Sequence, residues 1–234
     1  VDGTAHALTH PLDRPVWQAL TGRQAGLGEG GALARRFAPT IGIFAAAADQ
    51  SAEALAALAA LDRGGGLWLV EPDAPVLPPA MAIHRQTAVD QMLLTALAPG
   101  SEPADVVALG DADAAEMLAL ATATAPGPFY SESHRFGGFI GIRRAGRLVA
   151  MAGERMKVDG FTEVSGVCTD PKFRGQGLAG GLMRLVIARI LARGETAFLH
   201  VYSDNAGAIA LYRALGFVRR ATLCSTVLRT DGPA

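Results

Sequence analysis

From residue 104 onward the chain switches repeatedly between two hydrophobic periods. "DVVALG" and the run "GGFIGIRRAGRLVAMAGERMKVDGFTEVSGVCTD" read as strands, and the turns "RRAGR" and "KVDG" divide the longer run into three strands joined as hairpins. "DADAAEMLALATATA" and "GLAGGLMRLVIARILARG" read as helices; Asp111 or Asp113 is placed to cap the first and Gly194 to stop the second. "TAFLHVYSD" is a strand, "NAGAIALYRALG" a helix capped by Asp204 or Asn205 and closed by Gly216, and "FVRRATLCSTVLR" one or two strands. The predicted order is strand, helix, antiparallel meander, helix, strand, helix, strand.

The first hundred residues are less sharply punctuated. "IGIFAAA" and "GGGLWLVEP" predict short buried strands on either side of the helix "SAEALAALAAL". "AIHRQTA" predicts another strand and "AVDQMLLTAL" another helix. The polar, turn-rich "APGSEP", residues 98–103, is the best boundary, giving an N-terminal α/β companion domain over residues 1–101 and a second domain over 102–234.

Composition narrows the function classes. With 234 residues, half of them hydrophobic and 18% charged, the chain can bury a sizeable core, and no apolar run is long enough for a membrane-spanning helix. The N-terminus has neither a basic start nor an apolar centre, so a cytoplasmic location is expected. A net charge of −1 argues against nucleic-acid or membrane-surface binding. Two cysteines, Cys168 and Cys224, are too few for a disulfide framework or a zinc cluster, and no metal is expected.

The most informative stretch is "CTDPKFRGQGLAGGLM". A strand passing through glycines into a helix presents free backbone N–H groups and the positive end of the helix dipole, a favourable place for phosphate. Gly175, Gly177 and Gly180 satisfy G-x-G-x-x-G, so a dinucleotide site is one reading. It is a poor one: "DPKFR" separates strand from glycine, and the preceding strand belongs to an antiparallel meander. The other reading is a coenzyme A site, and a plain structural turn is the third.

Two elements decide among them. "VSGVCTDPKFRGQGLAGGLM" carries R-x-x-G-x-A and "HVYSDNAGAIALYRALGF" carries N-x-x-A-x-x-L-Y-x-x-x-G-F, in this order and separated by one helix and one strand. From about residue 104 to 229 the chain therefore resembles a GNAT-superfamily acyl-CoA-dependent N-acyltransferase, nearest to the branch that includes glycine N-acyltransferase. The resemblance implies an α/β (α+β) fold with a mixed, mainly antiparallel twisted sheet flanked by helices, and it allows a degenerate GNAT-like N-terminal domain.

It also implies roles. Val167, Cys168 and Thr169 would pair with the pantetheine arm of acetyl-CoA, while Gly175, Gln176, Gly177, Leu178, Ala179 and Gly180 surround its pyrophosphate and Arg174 adds charge. Asn205 would cap its helix and touch the cofactor near Ala208, and Tyr212 would protonate the departing thiolate. A splay between the strands flanking the cofactor would leave an unpaired amide near the thioester. A primary amine with a pKa of roughly 10 is mostly protonated at neutral pH, so a base is expected. Glu163, eleven residues before Arg174, resembles the branch's catalytic glutamate; strict alternation would put it on one face with Ser165, Val167 and Thr169. His200 is the alternative base and a candidate substrate contact. The loop "PFYSESHRF" offers Phe129, Tyr130, His134 and Arg135 to an acceptor, with Arg135 suited to a carboxylate. The expected function is transfer of acetyl from acetyl-CoA to a primary amine of a small molecule by direct attack, with a homodimer left open. The rivals are a non-catalytic acyl-CoA-binding or regulatory protein and a dinucleotide-dependent enzyme.

Overall fold

A computed structural model describes residues 10–230. The C-terminal pattern folds as the sequence predicts: β6 (Val106–Leu109), α3 (Ala114–Thr124), β7 (Phe139–Arg144), β8 (Arg147–Val158), β9 (Phe161–Thr169), α4 (Leu178–Ala192), β10 (Thr196–Tyr202), α5 (Ala206–Leu215) and β11 (Phe217–Thr230). Asn205 Oδ1 accepts from Ala208 N at 3.1 Å and caps α5. Asp113 Oδ2 instead takes Gly110 N at 3.0 Å, fixing the turn ahead of α3.

The N-terminal part supplies α1 (Pro15–Thr21), a small sheet of β1 (Gly28–Gly30), β2 (Ala34–Phe37) and β3 (Ala45–Ala47), then α2 (Ala52–Ala59), β4 (Leu67–Glu71) and β5 (Met81–Leu94). Here two expectations fail. The helix expected over residues 88–97 is the second half of the fourteen-residue strand β5. Val89, Asp90, Gln91 and Met92 are all buried because β5 lies mid-sheet with both faces covered, and two-sided burial imitates a helical apolar run. The boundary at residues 98–103 also fails: the large sheet runs β4-β11-β5-β10-β9-β8-β7-β6, so strands from before and after that turn belong to one sheet.

The sheet is mainly antiparallel; β9 and β10 form its parallel pair. On one face, Leu182, Met183, Val186, Ile187 and Ile190 of α4 pack on Ile140, Val149, Ala152, Val164 and Leu199. Each such fully buried side chain contributes about 1.5–3 kcal/mol. On the other face lie α3, over Phe139 and Met151, and α1 with the small sheet, over Met156, Phe198 and Leu223. No helix among the described residues is long and apolar enough to cross a membrane.

Because β5 is hydrogen-bonded between β11 and β10, a fragment beginning at residue 102 would leave both strands unpaired on their inner edges. Such a fragment is expected to be insoluble or to lack a cooperative thermal transition by circular dichroism, whereas the 234-residue chain melts cooperatively.

Candidate active site

The site begins where a strand ladder stops. β9 and β10 pair only through Phe161–Glu163 and Thr196–Phe198; beyond this, β10 continues along β5 and β9 along β8. The β10-facing edge of residues 164–169 thus has no strand partner. A bulge in β9 sharpens the divergence. Gly153 pairs with Ser165 and Met151 with Cys168, so Gly166 and Val167 together face Ala152. Gly166 has φ +62°, and a Cβ there would come within 2.6 Å of the Phe139 ring, so the bulge requires glycine.

The bulge corrects the alternation expected from sequence. Val164 and Val167 both pack toward α4, while Cys168 packs with α3. Glu163 and Val167 therefore lie on opposite faces of the sheet.

On the α4 side is a groove of about 370 Å³ whose fifteen lining residues include Val167, Cys168, Thr169, Arg174, Gly175, Gly177, Leu178, Ala179, Gly180, Ala208 and Tyr212; Thr124, Pro126, Phe173 and Leu211 complete it. The first eleven are among the thirteen residues proposed from sequence for the cofactor. Gln176 is exposed and does not line it, and Asn205 opens into the cleft described below. Gly177 caps α4 in the left-handed conformation with no side-chain cap on the first-turn amides. Cβ atoms added at Gly175 and Gly177 would meet nothing within 4 Å, so both glycines border open space. Thr169 Oγ1 is buried with no hydrogen-bond partner. Uncapped helix amides, an unpaired strand edge and an orphan hydroxyl fit a ligand with a diphosphate and an amide-bearing arm, as coenzyme A has.

On the opposite side is a cleft of about 100 Å³ walled by Phe44, Trp68, Tyr202 and Tyr212, with Arg155 and His200 also in its lining. Tyr212 borders both cavities. Burial pushes its phenol above the ordinary tyrosine value, against a smaller opposing pull from Arg155, so the proton is held.

Glu163 does not open into either cavity. Its side chain is 0% exposed, and both oxygens are occupied. Oε2 accepts from Arg155 Nε at 2.8 Å and from Met156 N at 3.3 Å; Oε1 accepts from Arg155 Nη2 at 2.6 Å and contacts His200 Nδ1 at 2.7 Å. Burial alone would raise its pKa, but Arg155 and His200 outweigh this and hold it well below the carboxylate range. A carboxylate with filled lone pairs and no solvent contact is poorly placed to collect a proton from an amine, and Glu163 instead serves here as a partner of Arg155 and His200. His200 is engaged at both nitrogens: Gln91 Nε2, which also donates to Leu12 O, lies 3.0 Å from His200 Nε2. That arrangement makes Nε2 the acceptor and leaves the hydrogen on Nδ1, facing Glu163.

The loop expected to bind the acceptor mostly packs elsewhere. Phe129 meets Phe139 edge-on at 5.7 Å; it borders a small adjoining cavity but not the cleft. Tyr130 lines neither. His134 is buried with Nε2 2.6 Å from Asp111, and Arg135 is half exposed and paired with Asp111 and Glu132. Pro128, the first residue of that loop, does line the cleft, as do Pro126 and Gly127 just upstream. Sequence reasoning missed Arg155, Phe44 and Trp68. Arg155 left a weak signal: it is one of three charged residues, with Glu154 and Lys157, that follow the apolar part of its strand, and it lies nearly opposite Glu163 across the "KVDG" hairpin.

With the geometry established, known proteins can be compared. A putative acetyltransferase of the GNAT family from Novosphingobium aromaticivorans has a crystal structure that matches with a TM-score of 0.88 and 46% identity, covering 95% of this chain and 100% of that one. The chain belongs to the GNAT family. A family model described as FR47-like protein matches residues 139–225, from β7 into β11 of this GNAT chain. The chain also aligns with curated relatives over parts of their length. An N-alpha-acetyltransferase RimI from Mycobacterium tuberculosis is 38% identical over 84 residues, which is 35% of this chain and 52% of that protein. The [ribosomal protein bS18]-alanine N-acetyltransferase of Escherichia coli is 34% identical over 92 residues, 39% of this chain and 62% of that protein. The chain thus spans between half and two thirds of the curated relatives it matches.

The depressed Glu163 pKa has a definite sign. Its folded value lies below its unfolded one, so the carboxylate contributes stability that is fully present above the unfolded value of about 4.3 and is lost as pH falls. Urea midpoints should fall between pH 5 and pH 2, and the fall should be smaller in Glu163→Gln; Glu195, also depressed, to about 2, accounts for part of what remains.

Proposed function

We propose that this GNAT chain transfers an acetyl group from acetyl-CoA to a primary amine of a small molecule, by direct attack and in the cytoplasm. The observation that carries the proposal is Tyr212, which borders both the glycine-turn groove and the aromatic cleft. Acetyl-CoA, when bound, supplies an activated acetyl thioester. The first-turn amides of α4 hold its diphosphate, with Arg174 at the rim, and the open edge of β9 receives the amide-bearing arm. Tyr212, protonated at neutral pH, donates to the sulfur as it departs.

Direct transfer is supported by Cys168, the one thiol in the groove: burial pushes it up to about 11, so it carries almost no thiolate at neutral pH. No carboxylate lines the cleft among the described residues, and His200 is engaged at both nitrogens. The amine therefore gives its proton to solvent before attack, and nearby Arg155 favours its neutral form.

A small acceptor is favoured because Phe44 and Trp68, from outside the family-matched segment, wall the cleft. A protein N-terminus is the second reading, favoured by the curated relatives named for such acceptors. The affinity to the glycine N-acyltransferase branch rests on the offset of Glu163 from the glycine turn, which its burial weakens.

Calorimetric titration should give acetyl-CoA binding and no NADH binding, and a panel of amines should release thiol; binding without thiol release from any amine would favour the non-catalytic alternative. Tyr212→Phe should lower kcat about 10²-fold, with acetyl-CoA affinity little changed, while Cys168→Ser retains activity. Across amines of different pKa, the rising limb of kcat/KM against pH should move with the amine. A limb that stays fixed near pH 6–7 for every amine would instead assign a base on the protein.

A further inference from the structure

The cleft has a polarity that an amine-binding pocket does not need. Arg155 lies in its lining with a side chain 15% exposed, and no aspartate or glutamate joins it there among the described residues. Arginine has five N–H donors. Glu163 takes one from Nε and one from Nη2, and no described residue accepts from Nη1. The Phe44 ring lies 4.9 Å from the guanidinium carbon, so one side of the group is packed while an edge stays free. At the rim Arg85 donates to the Tyr202 hydroxyl at 2.8 Å and stacks 4.8 Å over Trp68, adding a second cation.

A cleft with one arginine and no acid in its lining disfavours polyamines and other polycationic acceptors, whose second ammonium would find no partner. It suits an amine that also carries an anion, since a guanidinium with one edge clamped by a carboxylate can receive a second carboxylate on the other. The aromatic walls suit an apolar remainder. Resting on the acetyltransfer reading, we propose that the acceptor is an amine bearing a carboxylate, which Arg155 receives. Glu163 is the positioning residue: it neutralises Arg155 when the cleft is empty and, with Phe44, aims the free edge. This assigns the acceptor anion to β8 rather than to Arg135, which is spent on Asp111 and Glu132.

The test is a binding measurement on the full chain with product-like pairs differing only in the carboxylate: N-acetylglycine against N-methylacetamide, N-acetyl-L-alanine against N-ethylacetamide, and N-acetyl-L-phenylalanine against N-(2-phenylethyl)acetamide. In at least one pair the acid should bind about tenfold or more tighter, the scale of a charge-assisted hydrogen bond. Because Arg155→Gln alone strands the buried Glu163 carboxylate, the companion variant is Arg155→Gln with Glu163→Gln, in which the preference should vanish. Arg155→Lys, which keeps the charge and loses the fork, should retain only part of it. Equal binding within every pair, no binding by any acid, or a preference that survives in the double variant overturns the proposal. An acetyl-CoA titration alongside separates the two claims: acid preference without acetyl-CoA binding retains the carboxylate site and removes the transferase reading, and the reverse result does the opposite.

Discussion

The Glu163–Arg155 ion pair is the interaction on which the rest of the site depends. It sits at the last rung of the β9–β10 ladder, where two parallel strands must separate without letting water into the sheet. The pair is the end of a polar row across neighbouring strands: Arg220 on β11, Gln91 on β5, His200 on β10, Glu163 on β9 and Arg155 on β8. Asp13 continues the row into the N-terminal cover by accepting from Arg220 at 2.7 Å. Each member accounts for its neighbour's polar atoms, which allows a charged row to persist among Met156, Phe198 and Leu223. Removing one partner of such a pair typically costs about 3–5 kcal/mol, because the other is left buried and uncompensated.

From that row follows the two-sided design. The fork gives β9 a free edge toward the α4 groove, and the glycine bulge turns Val167 to that side while Cys168 stays under α3. The opposite side of the sheet carries the aromatic cleft, and the two spaces meet at Tyr212 and Pro126, which line both. The N-terminal third is not an appendage to this arrangement. It contributes two strands of the sheet and two walls of the cleft, and its Leu12 carbonyl holds the glutamine that holds His200.

What was legible in the sequence follows the range of the forces involved. The glycine turn, the helix caps and the hairpins are local, so eleven of the fifteen residues that line the groove could be named. The path of β5 was not, because its apolar run reflects covers on both faces contributed by segments far apart in the chain. The setting of Glu163 was missed for a related reason: alternation fixes the face of a strand residue only while the register is regular, and the bulge at Gly166 breaks it. Nor does a motif offset reveal that the carboxylate is already filled by an arginine from the next strand. Phe44 and Trp68 had no sequence signal, since nothing local distinguishes an aromatic that lines a cleft from one that fills a core.

The most direct test of this account is a double-mutant cycle on unfolding free energy with Arg155→Gln, Glu163→Gln and the double variant, measured by urea denaturation at pH 7. If the pair holds the fork, the double variant should lose less stability than the sum of the two single variants, with a coupling of at least about 2 kcal/mol. Additive losses within about 0.5 kcal/mol would mean that the two side chains act independently, and Glu163 would then be free for the catalytic role that its burial argues against.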